Sequence, residues 1–196
     1  MVAVPLDEGS ALIVVDVQND FADPQGSLYV AEGERTIPVI NRLIDEARQA
    51  GALVAYTQDW HPDATPHFEA HGGPWPSHCV RGTWGAELHP ALRVEGEIVR
   101  KGEGGEDGYS GFSHRDLTTG EDVPTALGDL LGERGVQRVV VVGLARDVCV
   151  METALDARRL GYETAVVLDA TRPVELEPGD DERTTTAMAE AGVLIV

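Results

Sequence analysis

Short apolar runs alternate with amphipathic segments along the whole chain. The apolar runs predict strands over 11–16, 52–57, 97–101, 138–143, 164–168 and 193–196. The first of these, A-L-I-V-V-D, is nearly continuous, which is typical of a parallel strand covered on both faces. Apolar residues at helical spacing predict helices over 37–50, 125–133, 147–160 and 181–191.

This alternation of strands and helices predicts βαβ units and a mostly parallel sheet. The expected fold class is α/β, a three-layer α/β/α arrangement around a central six-stranded sheet, in a single domain over 1–196. Ligands of such sheets bind beyond the carboxyl ends of the strands. Asp16, Asp59, Lys101 and the segment after Gly143 all lie at such ends, so we expect them on one rim.

The net charge and the absence of targeting patterns limit which classes of binding partner are expected. Fifteen basic and 34 acidic side chains give a net charge of −19, which disfavours nucleic acid and anionic membrane as partners. No apolar run approaches the roughly 18 residues of a membrane-spanning helix. The N-terminus also lacks the pattern of a signal peptide. We expect a cytoplasmic protein with a small-molecule substrate, and a homo-oligomer stays open. Without a secretion signal, Cys79 and Cys149 are expected as free thiols.

Cys149 lies where a predicted strand turns into a predicted helix, within V-G-L-A-R-D-V-C-V. Backbone N–H groups and the helix dipole at such a position favour a thiolate. The same N–H groups can hold a developing oxyanion. The alternative is that Cys149 is a small buried hydrophobe at a strand-to-helix junction.

Asp16 and Lys101 are the candidates for acid–base chemistry beside that thiol. A carboxylate at a strand end can take the thiol proton, although a turn or cap aspartate is the simpler reading of Asp16. A Lys101 ammonium near the thiol would lower the pKa of that thiol. The alternative is that Lys101 is an ordinary solvent-exposed lysine. On one rim, Cys149, Asp16 and Lys101 would form an acid–base–nucleophile set without histidine.

The segment from Thr57 to Cys79 holds four of the six histidines, at 61, 67, 71 and 78. It belongs to a long stretch without a clear element, and loops of that length are usually functional. Asp59 and His61 fall on one side of an extended segment, and His67 and His78 can close a site. Nitrogen and oxygen ligands suit zinc, iron or manganese. Surface histidines in a loop are the alternative.

Three aromatic residues are candidates for a flat pocket: Phe21, Trp75 and Tyr109. For each of them taken alone, packing under the long loop is the other interpretation.

Together these segments resemble the isochorismatase-like cysteine hydrolases, and within them the nicotinamidase (pyrazinamidase) branch. The likeness covers nearly the whole chain, and its most specific part is W-P-S-H-C-V-R-G-T-W-G-A-E-L-H-P at 75–90. The other matching segments are D-V-Q-N-D-F at 16–21, T-Q-D-W-H-P at 57–62, K-G at 101–102, Y-S-G-F at 109–112 and G-L-A-R-D-V-C-V at 143–150.

The resemblance implies hydrolysis of nicotinamide to nicotinate and ammonia in NAD salvage, and action on pyrazinamide. It makes Cys149 the nucleophile, Asp16 the base and Lys101 the partner that favours the thiolate. It also implies an oxyanion hole from the backbone N–H groups of Ala145 and Cys149, with a cis peptide between Leu144 and Ala145.

The resemblance further implies one divalent metal ion, zinc first, with iron or manganese as alternatives. Asp59, His61 and His78 match the ligands, His67 matches the spacing in one subgroup, and His71 does not match. The metal would hold the pyridine nitrogen. The residues expected around the pyridine ring are Phe21, Trp75 and Tyr109.

Two departures from the family pattern stand out. Arg146 occupies a position where the family usually has threonine, which would alter the substrate rim or place a charge near the thiol. The segment 103–108 is unusually acidic. Two alternatives remain beside the nicotinamidase reading. One is a related amidohydrolase acting on a carbamoyl or ureido substrate, and the other is a non-enzymatic metal-binding module that kept the fold.

Overall fold

The computed structural model describes residues 6–106 and 108–196. Its strands are β1 (Ser10–Val15), β2 (Leu53–Asp59), β3 (Glu97–Lys101), β4 (Ser113–Arg115), β5 (Asp122–Pro124), β6 (Arg138–Leu144), β7 (Glu163–Arg172) and β8 (Leu194–Ile195). Its α-helices are α1 (Asn19–Ala22), α2 (Ile37–Gln49), α3 (Ala126–Glu133), α4 (Met151–Arg159) and α5 (Asp180–Glu190). A π-helical turn covers Arg146–Val150, and 3-10 turns cover Gly33–Thr36, Glu69–His71 and Trp84–Ala86. Within these ranges, no helix is long and apolar enough to cross a membrane.

Six strands form one sheet in the order β3-β2-β1-β6-β7-β8. Every neighbouring pair in it is parallel, which confirms the predicted α/β fold. The chain moves from β1 outward to β2 and β3 on one side, and from β6 outward to β7 and β8 on the other. The topological switch point therefore lies between β1 and β6, where a ligand crevice is expected at the carboxyl ends.

Alternate residues of each central strand face two separate cores. Leu12 and Val14 of β1 belong to the core that α2 covers. Ile13 and Val15 belong to the core that α3, α4 and α5 cover. Because both faces of β1 are covered, all six of its residues are buried, and the five from Ala11 to Val15 form one apolar run.

Several local elements differ from the sequence-based expectation. Helix α1 and the β4–β5 hairpin were not predicted, because elements of three or four residues are too short to show a period. The predicted end of the seventh strand at 168 is wrong. Pairing with β6 resumes beyond an irregularity between Val141 and Gly143 and carries β7 to Arg172. The helix predicted over 147–160 is divided into the π-helical turn and α4.

Candidate active site

Asp16, Lys101 and Cys149 meet beyond the carboxyl ends of β1, β3 and β6. The Lys101 Nζ atom lies 2.8 Å from Asp16 Oδ2 and 3.6 Å from Cys149 Sγ. Asp16 follows β1 with a φ of 48°, a conformation that non-glycine residues adopt mainly where a site requires it. Its Oδ1 accepts a hydrogen bond of 2.7 Å from the Thr57 hydroxyl. The structure thus brings together the three residues that the strand ends placed on one rim.

Burial governs protonation in this group. Burial raises the pKa of the Cys149 thiol well above its ordinary value, and the Lys101 ammonium only partly opposes this. Burial likewise raises the pKa of Asp16 against the effect of Lys101. Burial alone would lower the pKa of Lys101, but the Asp16 and Asp59 carboxylates raise it. A raised pKa favours the neutral thiol, which needs a base during attack.

The charge of Lys101 is shared between the Asp16 and Asp59 carboxylates, so it only partly offsets the burial of the sulfur.

The turn that carries Cys149 is a π-helical turn, a feature frequent at functional sites. The preceding Leu144–Ala145 peptide is cis, as the resemblance implied. The Thr153 hydroxyl donates to the Cys149 carbonyl at 2.6 Å and accepts from the Gly111 N–H at 2.9 Å. Thr153 thereby ties the turn to the loop that follows β3.

Arg146 anchors the other side of this turn. Its Nε donates to the Thr171 hydroxyl at 3.0 Å, and its guanidinium binds both oxygens of Asp181 at 2.9 and 3.1 Å. These contacts lead toward β7 and α5. Arg146 thus fastens the π-helical turn to its neighbours.

A cluster of three buried imidazoles lies beside these residues. His61, His67 and His78 each offer a ring nitrogen, and these atoms all lie within 4.8 Å of one another. Asp59 Oδ2 lies 3.7 Å from His61 Nε2 and 4.0 Å from His78 Nε2. The His78 Nδ1 atom donates to the Pro76 carbonyl at 2.7 Å, which leaves Nε2 as the ring nitrogen with a lone pair.

The cluster fits a divalent metal ion. Both ring nitrogens of His61 are buried without a hydrogen-bond partner among the residues described, whereas buried polar atoms are normally paired. Burial lowers the pKa of His78 to about 4 against the opposing charge of Asp59, so its ring is neutral, as a ligand must be. A Cβ atom at position 102 would lie 2.5 Å from His61 Nδ1, which is closer than van der Waals contact, so the backbone of Gly102 packs directly against this ring. His71, by contrast, is exposed.

A small apolar cavity opens between Cys149 and the imidazole cluster. Its walls include Phe21, Trp75, Tyr109 and Ala145. The Trp75 indole N–H donates to the Tyr109 hydroxyl at 3.0 Å, and the two rings meet edge to face. The three aromatic residues that the sequence singled out therefore line one pocket.

Sequence reasoning missed Gln18. This fully buried amide donates to the Asp59 carbonyl at 2.7 Å and accepts from the Asp59 N–H at 2.8 Å, so it fixes the backbone of Asp59 from both sides. A polar residue three positions after a buried strand was the available indication.

Comparison with known proteins bears on this arrangement. The family model described as Isochorismatase domain matches residues 10–195. The nicotinamidase of Escherichia coli (strain K12) is 37% identical over 203 residues, which cover 94% of this chain and 93% of that protein. The crystal structure of Pyrococcus horikoshii pyrazinamidase in complex with zinc matches with a TM-score of 0.84 and 39% identity, covering 96% of this chain and 98% of that one. PnC1 from L. infantum in complex with nicotinate matches with a TM-score of 0.90 and 37% identity, covering 100% and 96%.

Proposed function

This chain belongs to the isochorismatase domain family, and on that premise we infer that it hydrolyses nicotinamide to nicotinate and ammonia. The observation that carries this inference is the apolar cavity, which has the Cys149 thiol on one side and the imidazole cluster on the other. In this arrangement the flat pyridine ring of the substrate would lie between them, with its carboxamide at the sulfur. The reaction belongs to NAD salvage, and we propose that pyrazinamide is also a substrate.

We propose that Cys149 is the nucleophile and Asp16 the base. As the Cys149 sulfur attacks the carboxamide carbon, the thiol proton passes to Asp16. Lys101 holds Asp16 in place through its contact of 2.8 Å and balances the charge near the sulfur. The backbone N–H groups of Ala145 and Cys149 stabilise the oxyanion of the tetrahedral intermediate.

The intermediate then collapses as the carbon–nitrogen bond breaks. Asp16 returns its proton to the nitrogen, which leaves as ammonia, and a thioester remains on Cys149. Water attacks the thioester carbon and gives a proton to Asp16. Release of nicotinate returns the sulfur, which recovers that proton as the thiol.

The protein binds a divalent metal ion, and we propose zinc, held by Asp59, His61, His67 and His78. The support is the buried nitrogen and oxygen donor set and the unpaired ring nitrogens of His61. When bound, the ion supplies a Lewis acid for the pyridine nitrogen of the substrate. The aromatic wall formed by Phe21, Trp75 and Tyr109 holds the ring and excludes water. We also propose that 1–196 is a single domain, because the proposed site draws on residues from Asp16 to Cys149.

The test is ammonia release by the purified, zinc-loaded protein with nicotinamide and with a carbamoyl or ureido compound as competitor substrates. We expect turnover of nicotinamide and its loss in Cys149→Ala. Preferential turnover of the carbamoyl compound would favour the related amidohydrolase class. No turnover of any amide, with zinc still bound, would favour a metal-binding module.

A further inference from the structure

We propose that Asp20 is a positioning residue for the metal ligands, which acts by holding the backbone at Cys79. The inference rests on the proposed function in one respect, that His61 and His78 bind the metal ion. Asp20 lies in α1, in the polar segment between the proposed base Asp16 and the pocket wall Phe21.

The Asp20 carboxylate is buried and holds two chain segments. Its Oδ2 accepts a hydrogen bond of 2.7 Å from the Cys79 N–H, 59 residues away in sequence. Its Oδ1 accepts one of 2.9 Å from the Ser27 N–H, in the segment that follows α1. Both oxygens are thus occupied by backbone donors, and charge-assisted bonds of this kind are stronger than neutral ones.

Cys79 is the point where the two histidine segments join. It follows His78 directly and adopts a φ of 46°, a left-handed conformation that costs free energy in a non-glycine residue. Its carbonyl accepts a hydrogen bond of 3.0 Å from the His61 N–H. Asp20 therefore holds the N–H of a strained residue whose carbonyl holds His61 and whose neighbour is His78.

Gly85 shows how closely the chain is built around this carboxylate. A Cβ atom at Gly85 would lie 2.1 Å from Asp20 Oδ2, so an alanine there would push on the oxygen that Cys79 binds. The Asp20 side chain is short and held at both oxygens, so it has little freedom to move aside. Replacing Gly85 thus disturbs the Asp20–Cys79 bond without changing any charge.

The experiment measures zinc affinity by competition with a chromogenic chelator, together with the thermal midpoint of the metal-free protein. In Asp20→Asn, one of the two carboxylate oxygens is replaced by an NH2 group, which donates hydrogen bonds and cannot accept one. One of the two backbone N–H groups then faces another donor. Since loss of an outer hydrogen bond at a metal site typically weakens metal binding about 10- to 100-fold, we expect that range here. Nicotinamide turnover should recover at saturating zinc.

Two matched controls separate positioning from general stability. The Asp116 carboxylate accepts from two backbone N–H groups through its Oδ1 atom, both at 2.8 Å, in an exposed turn, so Asp116→Asn should keep the parental zinc affinity. Gly85→Ala should weaken zinc binding, whereas Gly128→Ala, where a Cβ meets no atom within 4 Å, should not.

Zinc affinity within twofold of the parent in folded Asp20→Asn would overturn the inference, whatever the change in its thermal midpoint. Should that variant fail to fold, Gly85→Ala decides by the same criterion. If the parent protein binds zinc and hydrolyses nicotinamide, and Asp20→Asn binds zinc equally well, the proposed function stands and only the role of Asp20 is removed. A parent that binds no zinc removes both.

Discussion

The Lys101 ammonium lies 2.5 Å from Asp59 Oδ1 and so joins the imidazole cluster to the nucleophile. The other oxygen of Asp59 faces His61, at 3.7 Å from its Nε2 atom. Burial alone would raise the pKa of Asp59, but Lys101 and His61 outweigh it and hold that pKa well below its usual value. Asp59 is therefore ionised, and one lysine serves both halves of the site.

Removing the Lys101 charge should destabilise the fold as well as stop the reaction. Lys101→Met leaves the Asp16 and Asp59 carboxylates buried without their shared cation. We expect the free energy of unfolding to fall by about 3–5 kcal/mol, measured by urea denaturation. Arg100→Met, which removes an exposed charge from the same strand, should cost much less. Equal stability of the two variants would contradict this reading.

The acid limb of the pH–rate profile should report Asp16. Burial raises its pKa above the usual value of 3.8. Because the ionised form is the base, kcat/KM should be at its full value above that pKa and should fall as the pH falls through it. Thr57→Val removes a hydrogen bond that favours the ionised carboxylate, so it should move the limb to higher pH. A limb that stays in place in this variant would argue against Asp16 as the base.

Metal binding should depend on His78 and not on His71. His78 belongs to the buried cluster, whereas His71 is exposed in the Glu69–His71 turn. We expect His78→Ala to lose bound zinc and the rise in thermal midpoint that zinc confers on the parent. His71→Ala should keep both, as measured by elemental analysis and thermal denaturation. Equal metal content in the two variants would contradict the assignment.

Alkylation should distinguish the two free cysteines. Cys149 lines the cavity, whereas Cys79 is fully buried. Because burial raises the Cys149 pKa, we expect iodoacetamide to react slowly at neutral pH and faster as the pH rises. Mass spectrometry should find one modified residue, Cys149, protected by nicotinamide. Modification of Cys79 in the native protein would speak against the assignment.

Arg146 should matter for stability more than for turnover. Its guanidinium binds Thr171 and Asp181, so Arg146→Thr should lower the free energy of unfolding by about 1–3 kcal/mol. Since these contacts lead away from the sulfur, the KM for nicotinamide should stay within about threefold of the parent. Arg183→Thr, which breaks an exposed ion pair with Asp180, is the control and should change stability by under about 1 kcal/mol.

The strands and the residues at their carboxyl ends were predictable because a strand buried on both faces is a continuous apolar run in the sequence. The run from Ala11 to Val15 and the strand ends at Asp59 and Lys101 follow from that pattern. The shared contact of Lys101 with Asp16 and Asp59 did not follow, because it depends on neighbours that only the fold assembles. Contacts such as Gln18 with Asp59 span 41 residues and leave no periodic trace.

The switch point between β1 and β6 also divides the machinery along the chain. The proposed base, the lysine and the imidazoles all precede residue 102, and the thiol arrives 48 residues after Lys101. All four proposed metal ligands thus precede the nucleophile in the chain. Cleavage of the exposed turn at 117–121 would give two fragments without hydrolytic activity. Release of ammonia from nicotinamide would then measure their reassociation.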